Sequence, residues 1–134
     1  MDIIIVTAGI IIKGEEILIA QRRDLGKEKF KWEFPGGKLE NDEMPQEGLK
    51  REIKEELDIT IEVDDIFEVV YHKDDEKKIL LLCYLARYIT GTPKTLECNN
   101  FRWVKMKNLK KYDFSEADKK VLEKLLLKGL PIQR

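Results

Sequence analysis

The sequence predicts an α/β sandwich of the α+β kind, with helices covering a mixed β-sheet. Apolar, β-branched runs stand before, between and after two amphipathic stretches, turn residues mark most of the junctions, and no repeat or low-complexity tract interrupts them. With 134 residues, the chain suits one domain spanning 1–134, large enough to bury a core without disulfide or structural metal.

Residues 3–12 and 16–21 are rich in apolar residues and are separated by "KGEE", which predicts strand, turn, strand. A charged loop, "RRDLGKEKFK", leads to "WEFPGG", a short extended piece ended by Pro35 and two glycines. Residues 44–58 form a helix: Pro45 suits its first turn, and Leu49, Ile53 and Leu57 make a stripe at four-residue spacing. Residues 60–71 and 78–89 read as strands joined by the polar turn "HKDDEKK", and 101–104 as a shorter one after a loop containing "TGTPK". Residues 115–128 form a second helix, with Val121, Leu122, Leu125 and Leu126 inward and Gly129 and Pro131 stopping it.

Composition excludes several classes. The chain is 43% hydrophobic and 38% charged, and no apolar run approaches bilayer length. "MDIIIVTAGIII" lacks a basic leader and a cleavage site, so it reads as a buried strand and a cytoplasmic location is expected. Cys83 and Cys98 lack metal-ligand spacing and are expected to be reduced. A net charge of −1 argues against a nucleic-acid polymer as partner, so a phosphate ligand is expected to be small or met through a metal ion.

The helix at 44–58 breaks local rules. At about 100° per residue, Glu52, Glu55 and Glu56 share one side of it, beside the apolar stripe. Part of this is compatible with a solvated face, because Glu47 with Arg51 and Arg51 with Glu55 are favourable four-residue pairs. Glu52 with Glu56 is a repulsive pair at the same spacing, and carboxylates near a helix C-terminus oppose its dipole. A divalent cation would turn that repulsion into coordination, and hard carboxylate oxygens suit Mg²⁺ or Mn²⁺. Gly36 and Gly37 add backbone that a ligand can approach closely.

Gly37, Glu43, Arg51, Glu52, Ile53, Glu55, Glu56 and Ile59 fill, without a gap, a long pattern that resembles the signature of the Nudix hydrolases. One position departs from it: Asp58 stands where that family usually has a Gly with φ > 0, a conformation Asp tolerates better than most residues. "WEFPGGKLE" and the order of elements resemble the MutT-type subgroup over nearly the whole chain. The resemblance implies a mixed-sheet α/β/α sandwich and an Mg²⁺-dependent nucleoside triphosphate pyrophosphohydrolase. It implies metal ligands at the Gly37 carbonyl, Glu52, Glu55 and Glu56, with Arg51 orienting the carboxylates and Glu43 in support.

The resemblance also brings in Glu97, six residues before Trp103, as an outer carboxylate for metal binding or base catalysis, with Glu52 as the other candidate base. Arg23 and Lys38 are candidate contacts to the triphosphate, each also compatible with a solvated role, and Trp32, Phe34 and Phe101 are candidate walls for a base or simply core. Asp118 matches the base-reading position of the subgroup. An ionised Asp accepts hydrogen bonds from guanine N1–H and N2–H₂ or cytosine N4–H₂, although Ser115 and Asp118 also make a plausible capping box. His72 reads as a solvated strand end and takes no catalytic role.

The expected substrate is an oxidised purine nucleotide such as 8-oxo-dGTP. CTP, a 5-modified dCTP and a broad range of triphosphates are the alternatives, and a nucleotide-sensing module without turnover is the alternative of a different class. The expected assembly is a monomer or a homodimer.

Overall fold

The computed structural model describes residues 1–131, so the last three positions of the expected domain lie outside the described residues. The strands are β1 (Ile3–Lys13), β2 (Glu16–Gln21), β3 (Trp32–Glu33), β4 (Gly36–Lys38), β5 (Thr60–Lys73), β6 (Lys78–Thr90) and β7 (Asn100–Lys105). The helices are α1 (Pro45–Leu57) and α2 (Glu116–Lys128), with a 3₁₀ turn at Met106–Lys111. The strands form one seven-stranded mixed sheet, ordered β3-β2-β1-β6-β5, with β4 added to β1 and β7 to β2. β1 pairs in parallel with β6, in register from Ile3 opposite Lys78 to Ile12 opposite Arg87.

Strand alternation divides the apolar residues between the two faces of the sheet. One face carries Ile10, Ile19, Leu81, Cys83 and Leu85 against Val121, Leu122 and Leu125 of α2. The other carries Ile11, Leu18, Tyr84 and Ala86 against Leu49, Ile53 and Leu57 of α1. The two cores make the α/β/α sandwich the sequence predicts. Each of the three α1 residues is fully buried, and each contributes about 1.5–3 kcal/mol by leaving water.

α1 begins at Pro45, whose missing N–H falls where no helical partner exists. It ends where Asp58 turns to φ 57° and its N–H donates to the Lys54 carbonyl, so Asp58 does take the left-handed conformation that the departure from Gly requires. The start of α2 is fastened to β3: Trp32 N–H donates to the Asp113 carbonyl at 2.8 Å and Ser115 N–H to the Trp32 carbonyl at 2.9 Å.

The structure corrects several local expectations. Arg51 reaches Glu43 rather than Glu47, and Glu47 pairs instead with Lys50 at 3.7 Å. Ser115 is the N-cap of α2 without a side-chain bond to the helix backbone, because its hydroxyl donates to Asp118 Oδ2 at 2.6 Å. The Phe34 side chain is 1% exposed and packs on Phe114 at 5.2 Å between ring centres, while also lining the cavity under the sheet. His72 is no solvated strand end: its side chain is 18% exposed and borders a cavity described below.

Candidate active site

Two zones meet at Gly36–Lys38: an acidic zone on α1, and a cavity under the opposite face of the sheet. Arg51 organises the first. Its guanidinium donates to Glu43 Oε2 at 2.6 Å and Oε1 at 3.0 Å, to Glu52 Oε1 at 3.1 Å, to Glu55 Oε2 at 3.0 Å and to the Lys38 carbonyl at 3.2 Å. Only a planar fork with five donors satisfies such a set, and its two bonds to Glu43 are the bidentate kind. Glu43 is held down at about 2, first by that bond to Arg51 and then by the Glu40 N–H. Arg51→Lys keeps the charge but not the fork, so kcat is expected to fall roughly 10- to 100-fold while the protein stays folded. Steady-state kinetics alongside a melting curve checks this.

The strand-to-helix contact demands glycine. A Cβ on Gly37 would lie 2.3 Å from Glu52 Oε2, and one on Gly36 would lie 1.9 Å from the Thr7 carbonyl oxygen. The Glu52 carboxylate is thereby brought against the backbone at Gly37. Burial, followed by the charges of Glu55 and Glu97, raises the Glu52 pKa against the pull of Arg51.

Glu56 is 7% exposed, and its Oε1 is buried without a hydrogen-bond partner. Its pKa is pushed up to about 9, first by burial and then by the negative charges of Glu33, Glu52 and Glu97. A buried, unpartnered carboxyl among other acids suits a bound cation. Among the described residues no three acidic, histidine or cysteine side chains already stand in ligating geometry. Glu52, Glu56 and the Gly37 carbonyl nonetheless fit a divalent ion by chemistry, as an all-oxygen set with one orphaned acceptor and surplus negative charge. Glu55 and Glu97 extend that set.

Glu97 is exposed, but its loop is tied to the end of α1. Leu96 and Glu97 N–H both approach the Glu56 carbonyl, at 3.2 and 3.4 Å, and Lys94 N–H donates to the Leu57 carbonyl at 2.9 Å. Arg23 closes the other side, donating from Nη2 to the Leu96 carbonyl at 2.9 Å, so it stands by this loop and not among the residues lining the cavity. Asp58 adds a side-chain tie, with Lys94 Nζ 3.2 Å and Lys54 Nζ 3.3 Å away. Asp58→Gly keeps the turn that φ 57° requires but loses both ion pairs. Exposed pairs contribute little, so kcat is expected to fall about threefold or less, with faster amide exchange confined to residues 92–97.

The cavity encloses about 360 Å³. Its floor is apolar, from Ile4, Val6, Ile79 and Leu81, and its walls carry Arg22, Glu28, Glu33, Ser115 and Asp118, with Lys38, His72 and Lys77 also lining it. Asp118 is 6% exposed, and its two oxygens accept from Phe34 N–H at 3.0 Å and from the Ser115 hydroxyl. Its pKa is raised, mainly by burial against the pull of those two donors. That of Glu33 is raised as well, by burial and then by the charge of Asp118, with Arg22 opposing. Both carboxyls therefore hold a proton more readily than exposed ones do, and both present oxygens to the cavity. Arg22 Nε and Glu28 Oε2 are buried without hydrogen-bond partners.

Of the cavity lining, sequence reasoning named Phe34, Lys38 and Asp118, set His72 aside, and missed Arg22, Glu28, Glu33 and Lys77. Glu33 was visible inside "WEFPGG" as an acid within an otherwise apolar extended piece. Trp32 and Phe101 pack with the two cores.

Comparison with known proteins agrees with this geometry. The NUDIX domain family matches residues 4–125. An 8-oxo-dGTP diphosphatase of Escherichia coli is 33% identical over 117 residues, covering 86% of this chain and 91% of the relative. A CTP pyrophosphohydrolase of the same organism is 32% identical over 123 residues, covering 92% and 91%. The solution structure of the E. coli ORF135 protein superposes with a TM-score of 0.84 at 30% identity, covering 99% of this chain and 96% of that one. Family match, fold and carboxylate helix coincide along the same chain, which belongs to the Nudix hydrolases as a MutT-type enzyme.

Proposed function

We propose that the chain works as one domain that hydrolyses a nucleoside triphosphate to the monophosphate and pyrophosphate with Mg²⁺, Mn²⁺ being a possible substitute. The observation that carries the metal assignment is Glu56, a buried carboxyl with an orphaned oxygen among three other acids. Glu52, Glu55, Glu56 and the Gly37 carbonyl would hold the divalent ions, with Glu97 completing the set from its loop. Bound there, the ions neutralise phosphate charge and make water more acidic.

The chain's own residues supply the rest. Arg51 holds Glu43, Glu52 and Glu55 in fixed orientation. A carboxylate oxygen of Glu52 or Glu97 takes the proton of the attacking water. The water oxygen bonds to one phosphorus of the α–β bridge, and the bridging oxygen leaves with the other. Lys38, at the edge of the cavity, would meet phosphate oxygens there, and Arg23 would do so from the side of the Leu96 loop.

For the base we propose 8-oxoguanine. Asp118, Glu33 and Glu28 surround the cavity, so its walls are rich in acceptors. Guanine offers N1–H and N2–H₂ as donors while its N7 accepts; oxidation at C8 turns N7 into N–H, a third donor. Cytosine is the second reading, because its N4–H₂ also donates to a carboxylate acceptor such as Asp118. A panel of 8-oxo-dGTP, dGTP, dCTP, CTP and a 5-modified dCTP, scored by kcat/KM with pyrophosphate detection, decides between them. 8-oxo-dGTP ahead of dGTP and both cytosine nucleotides supports the first reading, and a cytosine nucleotide in front establishes the second.

A further inference from the structure

Among the described residues, the buried polar or charged side chains are Thr7, Glu56, Ser115 and Asp118. Glu56 belongs to the acidic zone on α1, and Ser115 and Asp118 to the cavity wall. Thr7, at 0% exposed, is the most buried of the four. Its hydroxyl donates to the Gly37 carbonyl at 3.4 Å, the oxygen placed above among the metal ligands.

Strand pairing explains how the two meet. Thr7 stands directly opposite Gly37 in the antiparallel register of β1 and β4, and residues so paired share one face of the sheet. For Gly37 that face is the one holding Glu52, which an added Cβ would strike. Alternation along β1 agrees, because a Cβ on Gly9, two residues from Thr7, would lie 3.4 Å from Leu49 Cδ2 of α1. The Thr7 hydroxyl is therefore on the side of the sheet that carries the acidic helix.

We infer that Thr7 is a positioning residue for the metal site, its hydroxyl fixing the direction of the Gly37 carbonyl; this rests on the reading of that carbonyl as a ligand. Gly37 has to lack a side chain because of Glu52, and the same lack leaves its peptide freer to tilt. β4 offers little restraint of its own, being three residues long with Gly36 next in line. Restraint has to come from the neighbouring strand, and Thr7 is the residue that register places there. Valine has the same shape and suits a buried strand at least as well, so packing alone does not account for the hydroxyl. At 3.4 Å the bond is long for O–H···O, which makes it a steering contact and a weak support for the fold.

Mn²⁺ titration followed by electron paramagnetic resonance, together with melting curves of the metal-free protein, tests this. Thr7→Val should weaken Mn²⁺ binding about tenfold, the lower end for partners that orient metal ligands. Its metal-free melting temperature should equal or exceed that of wild type, because a poorly paired buried hydroxyl gives way to a methyl group. Its kcat should return to the wild-type value once Mg²⁺ is saturating. Thr7→Ser should show the opposite pattern: the hydroxyl keeps Mn²⁺ binding within about threefold of wild type, while the lost methyl lowers the melting temperature. Unchanged Mn²⁺ affinity in Thr7→Val overturns the inference. An equal loss of affinity in Thr7→Ser overturns it as well, by making packing the cause. Wild type that binds no Mn²⁺ overturns the metal reading itself, and this inference with it.

Discussion

Replacing Glu56 by Gln is expected to lower kcat roughly a thousandfold and to leave the metal-free melting temperature no lower than that of wild type. The two effects separate because of the environment of this carboxyl. With its pKa pushed up to about 9 by burial and neighbouring acids, Glu56 carries a proton near neutral pH when no cation is present. Gln reproduces that neutral, buried form in nearly the same volume. In the loaded enzyme the same residue is a negatively charged oxygen ligand, which an amide cannot replace, and a lost electrostatic contact of this kind costs two to three orders of magnitude. Melting curves with and without Mg²⁺ provide the second readout: wild type should gain stability from the ion by mass action and the variant should not. Equal loss of stability and activity in the variant would make Glu56 a structural residue.

Replacing Asp118 by Asn is expected to change the order of preferred nucleotides while the best kcat stays within about tenfold of wild type. Asp118 faces the cavity from the first turn of α2 and is separate from the Arg51 cluster. An amide offers one acceptor and one donor where a carboxylate only accepts, so the donor and acceptor order presented to a base edge changes. A mismatched array leaves buried polar groups unpaired, which is how sites of this kind discriminate. Stability should respond with a definite sign. The pKa values of Asp118 and Glu33 are both raised in the folded state, whereas the unfolded chain releases these protons near pH 4. From about pH 4 towards neutrality the folded state therefore binds more protons than the unfolded state, and stability falls as pH rises. Asp118→Asn should flatten that fall, raising the melting temperature relative to wild type more at pH 8 than at pH 5. An unchanged substrate order with a lower melting temperature at every pH would reduce Asp118 to a brace between α2 and Phe34.

The acidic zone was legible in the sequence because it is local. Arg51, Glu52, Glu55 and Glu56 lie within two turns of one helix, and periodicity fixes their common side before any tertiary contact is known. The helix itself was placed to within one residue at each end, since Pro45 and the Asp58 turn act on the backbone directly. The cavity was not legible, because it depends on the parallel pairing of β1 with β6, which closes a long loop and leaves no local pattern. That pairing brings Ile79 and Leu81 beside Ile4 and Val6, and carries His72 and Lys77 to the lining. Asp118 was readable by resemblance and Glu33 was passed over, although both line the cavity. Phe34 combines the two roles open to an aromatic next to the glycines: its ring packs on Phe114 and it also lines the cavity.

The account stands most directly on the products formed from 8-oxo-dGTP, followed by phosphorus NMR with Mg²⁺ for wild type and Glu56→Gln. It predicts monophosphate and pyrophosphate in equal amounts from the wild type, no turnover once the ion is chelated, and almost none from the variant. Release of orthophosphate with the diphosphate, or equal turnover by Glu56→Gln, would contradict it.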